Sequence, residues 1–421
     1  MSDKGFQIEK YKIRFPAKLF IGIGIISSLN LGTITARMLG GGLQSNIIVV
    51  LVLIWISIDH FFSGRRLRVS FDHFLLAMFF VAFLLVSFIQ EPEVSRISYE
   101  AFQLYWKLFL FCFIFPITLS TFKVDEIKLI CVGIIYGLIP NFLVGLLQVI
   151  GLSSFASKLT NSSGSELQSA RAAGFWGDPN ETACLVCIVY VIMGAVKFRG
   201  RVPVFWTAVC ISFVVITSSR TGFLAILIIL VYNAVSQPFK SGGQILISLI
   251  KIFGAPIFLW IFIVLGGRND LLEKFYSVAD SEMRDVSEGG SSLSRMNLFM
   301  MSLESVLDQD PIFGVGAVKM SRIVPLGASG LGPHNLFLYI YGSAGIPAII
   351  LFITSFILLG YRMVRNLNKI WWPIFVVFLL GFISMHSLIL SQHFALIFAI
   401  IFTLAIIPKR KFEKIKLDPV R

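Results

Sequence analysis

The sequence predicts an all-α polytopic membrane protein with about 12 transmembrane helices. Apolar residues make up 56% of the 421-residue chain, charged residues only 14%, and the mean hydropathy is +0.84. A soluble domain uses about 25% charged residues, so this composition excludes a set of soluble domains. Apolar segments of roughly 17 to 25 residues recur along the chain, and a helix needs this length to cross the hydrocarbon core of a bilayer.

These segments give the order of the predicted spans. They lie near residues 18–36, 46–63, 73–90, 101–122, 127–152, 180–197, 202–219, 221–237, 243–266, 336–360, 371–389 and 392–408. The first segment lacks a small-residue cleavage pattern, so we expect a retained span and not a signal peptide. The chain then divides into residues 1–267 with spans 1 to 9, a hydrophilic block at 268–335, and residues 336–421 with spans 10 to 12 and a basic tail.

Basic residues in the short connections predict the orientation of the chain, because Lys and Arg are enriched on the cytoplasmic side of membrane proteins. With both termini in the cytoplasm, the clusters Arg65-Arg66-Arg68, Lys197-Arg199-Arg201 and Arg362-Arg365-Lys369 all fall on that side. The loop at 153–179 and the block at 268–335 then share the outer side. We therefore expect the chemistry on that side.

The formal net charge of +13 does not indicate a nucleic-acid-binding protein. The basic residues fall in short clusters between apolar segments and form no continuous basic face, so they fit topology signals and contacts with membrane lipids. The five cysteines are also placed inside apolar segments, where packing explains them better than redox or metal chemistry. They are Cys112, Cys131, Cys184, Cys187 and Cys210.

The block at 268–335 is far longer than a connection between two membrane helices needs to be, and we interpret it as a partly helical catalytic loop. An amphipathic helix begins near Ser294 and ends at Asp310-Pro311. Arg295 lies in its first turn, where the helix dipole disfavours a cation. A bound anion beside Arg295 is therefore expected.

His334 lies at the outer mouth of the tenth span. A histidine in this position is often a satisfied structural residue or a helix cap. It is also the histidine of the large loop, where a neutral imidazole could take a proton from a sugar hydroxyl. His386 and His393, near the last two spans on the same side, are alternatives for that base.

Arg220 lies in a very short connection, Thr217-Ser218-Ser219-Arg220-Thr221-Gly222, between two apolar segments. A guanidinium at the outer end of two spans has to find an anion, carbonyl groups or lipid phosphate. Snorkelling to lipid headgroups would satisfy it. The neighbouring hydroxyls and the permissive glycine favour a bound diphosphate.

The smaller outer loop ends in a second candidate segment, from Arg171 to Asn180. Asp178-Pro179-Asn180 is typical of a helix start, with Asp178 or Asn180 as the cap. Capping leaves Arg171 and the Phe175-Trp176 pair unexplained. These residues suit a phosphate contact and an aromatic platform for a sugar ring or a lipid headgroup.

No convincing metal-binding constellation is present in the sequence. Asp308-Gln309-Asp310 falls at a helix end, and no pair of histidines has ligand spacing. A transferase outside the cytoplasm also lacks nucleotides, so it needs a donor that is already activated in the membrane. A polyprenyl diphosphate is the natural leaving group, and arginines can take the place of a divalent cation.

Several of these features together resemble the O-antigen ligase and polymerase superfamily. They are the number of spans, the segment from Gly174 to Asn180, Ser219-Arg220-Thr221-Gly222, the Arg295 helix ending in Pro311-Ile312-Phe313-Gly314-Val315-Gly316, and His334-Asn335 followed after nine residues by Gly345. The resemblance covers most of the chain from about Arg171 to Gly345.

The resemblance implies a GT-C-like membrane glycosyltransferase of the bacterial inner membrane, with its active site in the periplasm and without metal or cofactor. It would move a completed glycan en bloc from undecaprenyl diphosphate to an acceptor hydroxyl. Arg220 and Arg295 would hold the diphosphate, and His334 would assist the acceptor hydroxyl. Arg171, Trp176, Asn180 and Asn335 are the further substrate-binding candidates.

Two reactions stay open within that superfamily. A ligase passes the glycan to a lipid A-core sugar, whereas a polymerase passes it to another lipid-linked repeat. The His-Asn-x9-Gly spacing resembles the ligases, but Ala348 departs from their pattern and the Asp-Pro-Asn segment also occurs in polymerase-like members. We favour the ligase. A lipid-linked glycan flippase is the alternative from another class, although no inverted repeat is evident.

Overall fold

The structure, a computed structural model, describes residues 15–29, 45–90, 99–149, 172–176, 178–198, 202–236, 291–321, 324–326, 329–331, 333, 335–367, 369–385 and 387–407. For residues 45–46, 99–103, 291–297, 321, 324–326, 329–331 and 387 it describes the backbone alone. Within these ranges the chain is almost entirely helical, as the composition predicts. The predicted ninth span, 243–266, lies outside them.

The described helices follow the predicted apolar segments. In chain order they are α1 (Ala17–Ser28), α2 (Ser45–Phe62), α3 (Phe71–Gln90), α4 (Tyr99–Phe109), α5 (Phe115–Ser120), α6 (Val124–Val149), α7 (Pro179–Ile192), α8 (Val204–Ile216), α9 (Arg220–Ser236), α10 (Ser291–Gln309), α11 (Ala317–Ser321), α12 (Leu336–Asn366), α13 (Trp372–Ser384) and α14 (Gln392–Ile406). A π-helical segment, Leu110–Ile114, joins α4 to α5, and a second one, Met193–Lys197, extends α7. Two 3-10 turns, Lys369–Trp371 and Ser387–Leu390, precede α13 and α14.

Four of the described helices are long and apolar enough to cross a membrane by themselves. They are α3, α6, α7 with its π-helical extension, and α12. The other apolar helices of the described ranges are shorter, with 10–17 residues each. This architecture is that of a multi-pass membrane protein, and the number of about 12 crossings stays a prediction.

Helices α1 and α6 pack against each other through small residues. A Cβ atom on Gly133 would lie 2.1 Å from the carbonyl oxygen of Ile21, and one on Gly24 would lie 2.1 Å from the carbonyl oxygen of Ile130. The backbones therefore approach so closely that glycine is required on both helices, which is a common way for membrane helices to associate. This contact brings the end of α1 beside Asn141 in α6, whose Nδ2 donates to the Ser28 carbonyl oxygen at 2.6 Å.

The bundle has two ends, which differ in the residues that they carry. At one end, here called the loop end, lie the C-terminus of α3 and the N-termini of α7, α9, α12 and α14. At the other, here called the basic end, Arg65 donates to Glu126 at 2.9 Å and Arg362 lies 3.4 Å from Asp72. Trp176, Asn180, Arg220 and Asn335, the site candidates whose side chains the structure describes, lie toward the loop end.

The predicted outer loop at 268–335 is partly helical where the structure describes it. It contains α10, α11 and a small antiparallel hairpin of β1 (Val324–Leu326) and β2 (Ser329–Leu331), in which Pro325 pairs with Gly330. Residues 268–290 lie outside the described part of the chain. The side of the membrane on which this loop lies stays a prediction.

Candidate active site

Helix α7 begins as the sequence predicts, at the Asp178-Pro179-Asn180 segment. Pro179 is its first residue, and Oδ1 of Asp178 accepts hydrogen bonds from the backbone N–H groups of Asn180 at 2.8 Å and Glu181 at 2.9 Å. Asp178 is therefore the cap, which satisfies two donors of the first turn. Asn180 lies in that turn, half-buried.

The chain before α7 is held inside the bundle by two polar side chains of α6. Oε1 of Gln148 accepts from the Ala173 N–H at 2.8 Å and the Gly174 N–H at 3.0 Å, while Oδ1 of Asn141 accepts from the Phe175 N–H at 2.9 Å. The sequence predicts that these two intramembrane side chains face protein or water. Asn141 and Gln148 thus supply hydrogen-bond acceptors to the backbone N–H groups of a non-helical segment. Such a segment needs partners within the protein, because lipid offers none.

Trp176 is packed into the protein. Only 5% of its surface is exposed, and its ring stacks on Phe213 with 6.3 Å between the ring centroids. Its role as a platform for a sugar stays a prediction, and the observed packing favours a structural role. Arg171, the other candidate of this segment, lies outside the described residues.

Three polar side chains meet at the first turn of α7, and sequence reasoning did not single them out as a group. The Ser391 hydroxyl, which caps α14 by accepting from the Phe394 N–H at 3.2 Å, donates to Oε1 of the buried Glu181. Lys107 of α4 is within electrostatic range of the same carboxylate. The sequence shows one signal for this group, which is the carboxylate of Glu181 in the first turn of an apolar helix.

His393 is a satisfied core residue in this structure. Its buried ring has Nδ1 2.6 Å from the carbonyl oxygen of Ser27, and a carbonyl can only accept, so Nδ1 carries the proton and donates. The Nε2 atom keeps its lone pair in this tautomer, so the role of His393 as an alternative base stays a prediction. His386 and His334, the other two candidates, lie outside the described residues.

Arg220 is the first residue of α9, and its side chain is exposed. The preceding Ser219 hydroxyl accepts from the Gly222 N–H at 3.2 Å, so the short connection is a capped helix start. A Cβ atom on Gly222 would lie 2.4 Å from Cβ of Ala183. The first turns of α9 and α7 are therefore in direct contact, which places Arg220 at the loop end beside the α7 cap.

Asn335 is the cap of α12. Its Oδ1 accepts from the Leu338 N–H at 3.0 Å, and its Nδ2 donates to the Ile383 carbonyl oxygen near the end of α13 at 3.3 Å. The side chain thus fixes the N-terminus of α12 against α13. His334 directly precedes this cap in the chain and lies outside the described residues.

Helix α12 is broken at Gly345, and the outer loop fills the break. Gly345 has φ 71°, ψ −166°, which interrupts the helical hydrogen bonding. The N–H of Ile346 donates instead to the Ile312 carbonyl oxygen at 2.8 Å, and the Gly342 carbonyl oxygen accepts from the Val315 N–H at 2.6 Å. The contact between residues 310–316 and this break is here called the joint.

Asp310 organises the joint. Its Oδ1 accepts from the Phe313 N–H at 2.9 Å and the Ile312 N–H at 3.0 Å, and its Oδ2 accepts from Nε2 of Gln90 in α3 at 2.9 Å. These bonds, first that from Phe313, hold the pKa of the Asp310 carboxyl below its usual value. Through these bonds the carboxylate connects the end of α10 to α3 and holds the turn that contacts α12.

The structure begins α10 at Ser291, three residues before the predicted start, so Arg295 lies in the second turn and not in the first. The backbone alone is described there. The joint connects this helix to α12, whose N-terminus follows His334. The structure therefore brings Arg220, Asn180 and Asn335 to one end of the bundle and attaches the helix of Arg295 to that end. The convergence of the side chains of Arg220, Arg295 and His334 stays a prediction.

Comparison with known proteins agrees with the order of these elements. A family model described as O-antigen ligase matches residues 204–353, about a third of the chain, which includes Arg220, Arg295, His334 and the break at Gly345. No curated protein matches the chain. The matched region and the multi-pass helical architecture support the resemblance of the chain to the O-antigen ligase and polymerase superfamily, whose members are glycosyltransferase-like membrane enzymes.

Proposed function

We propose that this protein is a membrane glycosyltransferase that moves a glycan en bloc from undecaprenyl diphosphate to an acceptor sugar hydroxyl. An O-antigen ligase acting on lipid A-core is the first candidate. The proposal includes about 12 crossings, both termini in the cytoplasm, and a periplasmic site in the bacterial inner membrane. The supporting observation is the position of Arg220, exposed at the loop end beside the α7 cap and inside the matched region.

The chemistry follows from the charge that develops on the leaving group. The acceptor oxygen forms a bond to the anomeric carbon, the bond from that carbon to the phosphate oxygen breaks, and the diphosphate leaves with the electron pair. Arg220 and Arg295 would neutralise this charge, because guanidinium groups form paired hydrogen bonds with phosphate. His334 would take the proton of the acceptor hydroxyl.

The N-termini gathered at the loop end support the same assignment. Helices α7, α9 and α12 all begin there, and a helix N-terminus favours negative charge. Asp178, Ser219 and Asn335 cap these termini, and Arg220 follows Ser219 as the first residue of α9. A guanidinium beside helix N-termini makes the electrostatic potential there positive, which suits a lipid diphosphate.

The test is transfer by the purified protein in proteoliposomes, with a polyprenyl-diphosphate-linked glycan as donor and lipid A-core as acceptor. We expect Arg220→Ala to reduce the transfer rate by about 100-fold, as the loss of one charge-stabilising group does. Arg66→Ala, which removes an exposed arginine at the basic end, is the matched control and should transfer at the wild-type rate. Equal rates for the two variants would refute the assignment of Arg220.

The choice of acceptor in this assay distinguishes a ligase from a polymerase. Transfer to lipid A-core but not to a second lipid-linked repeat supports the ligase, and the opposite result makes the protein a polymerase of the same superfamily. If the wild-type protein transfers to neither acceptor but moves the lipid-linked glycan across the bilayer, the transferase proposal is wrong and the protein is a flippase.

A further inference from the structure

Helix α10 presents three different sides. Leu298, Ser302 and Val306 are buried against the bundle. Met300 and Leu307, seven residues apart and hence on one line of the helix surface, are exposed, Leu307 by 51%. Glu304 and Asp308 are exposed on the adjoining side. The helix is thus buried on one side and apolar on one exposed edge, while the other exposed edge carries Glu304 and Asp308 together with the exposed Met301.

The apolar edge of α10 continues into the joint. Ile312 is exposed by 55%, and Phe313 beside it is also exposed, although both lie in a turn whose backbone is fully engaged. The backbone of Ile312 is bonded to Ile346, which begins a line of exposed isoleucines down α12. That line, Ile346, Ile350, Ile353 and Ile357, has the spacing of one helix face.

Two polar contacts mark where the hydrocarbon begins and ends along this surface. Asp72 at the start of α3 pairs with Arg362, and Gln90 at its end donates to Asp310. The 18 residues from Asp72 to Gln90 rise about 27 Å at ~1.5 Å per residue. The hydrocarbon core is about 30 Å thick. Asp310, and with it the end of α10, therefore lies at the membrane boundary of the loop end.

We propose that α10 is an interfacial helix that rests on the membrane surface. Met300, Leu307, Ile312 and Phe313 would lie among the outermost acyl carbons, while Glu304 and Asp308 would face water. The acidic edge repels anionic headgroups, so the attraction comes from burial of apolar surface and not from charge. The occupant of this exposed edge is the lipid bilayer itself, in continuity with the lipid-facing line of α12.

The location of α10 does not depend on the transferase activity. If the proposed function also holds, the inference adds that the helix carrying Arg295 is held at the level of the lipid headgroups. The diphosphate of a lipid-linked donor lies at that same level.

The test is the accessibility of a nitroxide label in lipid nanodiscs. Single cysteines would be introduced by Leu307→Cys and Ile312→Cys, with Glu304→Cys and Asp308→Cys as matched controls from the acidic edge and Ile350→Cys as the lipid reference. The five native cysteines are buried, so the unsubstituted protein serves as the labelling control. Collision rates with oxygen, which concentrates in hydrocarbon, and with a water-soluble nickel chelate would be compared.

We expect the labels at positions 307 and 312 to collide with oxygen at least about threefold more than with the nickel chelate, and those at 304 and 308 to show the reverse, since the two edges face different solvents. Equal nickel accessibility at 304 and 307 would overturn the proposal. Protection of position 307 from both reagents would overturn it as well, because a protein partner would then cover the edge.

Discussion

At the scale of single residues, the loop end combines side chains that build the site with side chains that could act in it. Asp178 and Asn335 are caps, and Asn141 and Gln148 secure a buried non-helical segment. Arg220 is exposed at the start of α9, where its guanidinium is suited to bind a phosphate group.

Glu181 shows why residue roles were only partly predictable from the sequence. Asp178 was recognisable as a cap because its neighbours Pro179 and Asn180 form a known helix-start pattern. Glu181 interacts with Ser391 and Lys107. Both residues are more than 70 positions away in the chain, and no local sequence pattern connects them to Glu181. Contacts of this range are set by the packing of whole helices.

Asp310 allows a prediction about acid stability. Its pKa is lowered in the folded protein, so the ionised carboxylate stabilises the fold above its unfolded pKa, near 3.8, and this contribution is lost as the pH falls through the folded-state pKa. We expect Asp310→Asn to lower the apparent melting temperature by a constant amount above about pH 5. The difference from the wild-type protein should shrink as the pH falls below the unfolded pKa and vanish only below the folded-state pKa.

The control for this prediction is Asp308→Asn, which neutralises an exposed carboxylate of the same helix end. Its melting temperature should follow the wild-type curve at every pH. A difference between wild type and Asp310→Asn that persists unchanged in acid would show that the carboxylate charge is not what stabilises the joint.

At the scale of elements, the break in α12 is the main departure from the expected architecture. The sequence predicts a continuous tenth span at 336–360, but the helix runs over Leu336–Asn366 and is interrupted at Gly345. A Cβ atom there would lie 2.1 Å from the Ile312 carbonyl oxygen. The glycine is thus required twice, by its backbone conformation and by the close approach of the turn.

Gly345→Ala should destabilise the folded protein. The backbone conformation alone costs a non-glycine residue about 1–3 kcal/mol, and the methyl group would also push the turn away from α12. We expect an apparent melting temperature several degrees below that of the wild type, measured by intrinsic tryptophan fluorescence in detergent. Gly22→Ala is the matched control, because a Cβ atom on Gly22 meets nothing within 4 Å and alanine favours the helix. Equal melting temperatures for the two variants would contradict this account of the break.

The positions of the helices were predictable from the sequence, and their irregularities were not. Apolar segments average hydropathy over about 20 residues, which is enough to find each helix. The same average does not register the π-helical segments Leu110–Ile114 and Met193–Lys197, nor the break at Gly345. Each of these irregularities is a local change in the helical hydrogen bonding, and it depends on the contacts that neighbouring residues make there.

At the scale of the whole molecule, charge is distributed unevenly between the two ends. The basic end holds Arg65 against the fully buried Glu126, and Arg362 against Asp72. Removing Arg65 would leave the fully buried Glu126 carboxylate without its cation, which costs about 3–5 kcal/mol. Exposed basic residues such as Arg66 surround it. This asymmetry predicts that the basic end faces the cytoplasm.

Labelling of introduced cysteines would test this orientation. In spheroplasts treated with a membrane-impermeant maleimide, we expect Asp308→Cys, at the loop end, to react before lysis. Arg66→Cys, at the basic end, should react only after lysis, because the membrane shields it. The buried native cysteines give the background for both. Reaction of Arg66→Cys in unbroken cells, with Asp308→Cys silent, would reverse the orientation and exclude a periplasmic site.

The joint has a consequence for how the outer loop could move. If the turn lifted away from α12, the N–H of Ile346 and the carbonyl of Gly342 would both lose their partners at the edge of the hydrocarbon. Each orphaned group would cost about 2 kcal/mol or more. At about 1.4 kcal/mol per tenfold change, the detached form would amount to roughly one molecule in a thousand or fewer. Any swinging motion of the loop therefore has its pivots before Asp310 or after Gly316, while the turn between these residues stays bound to α12.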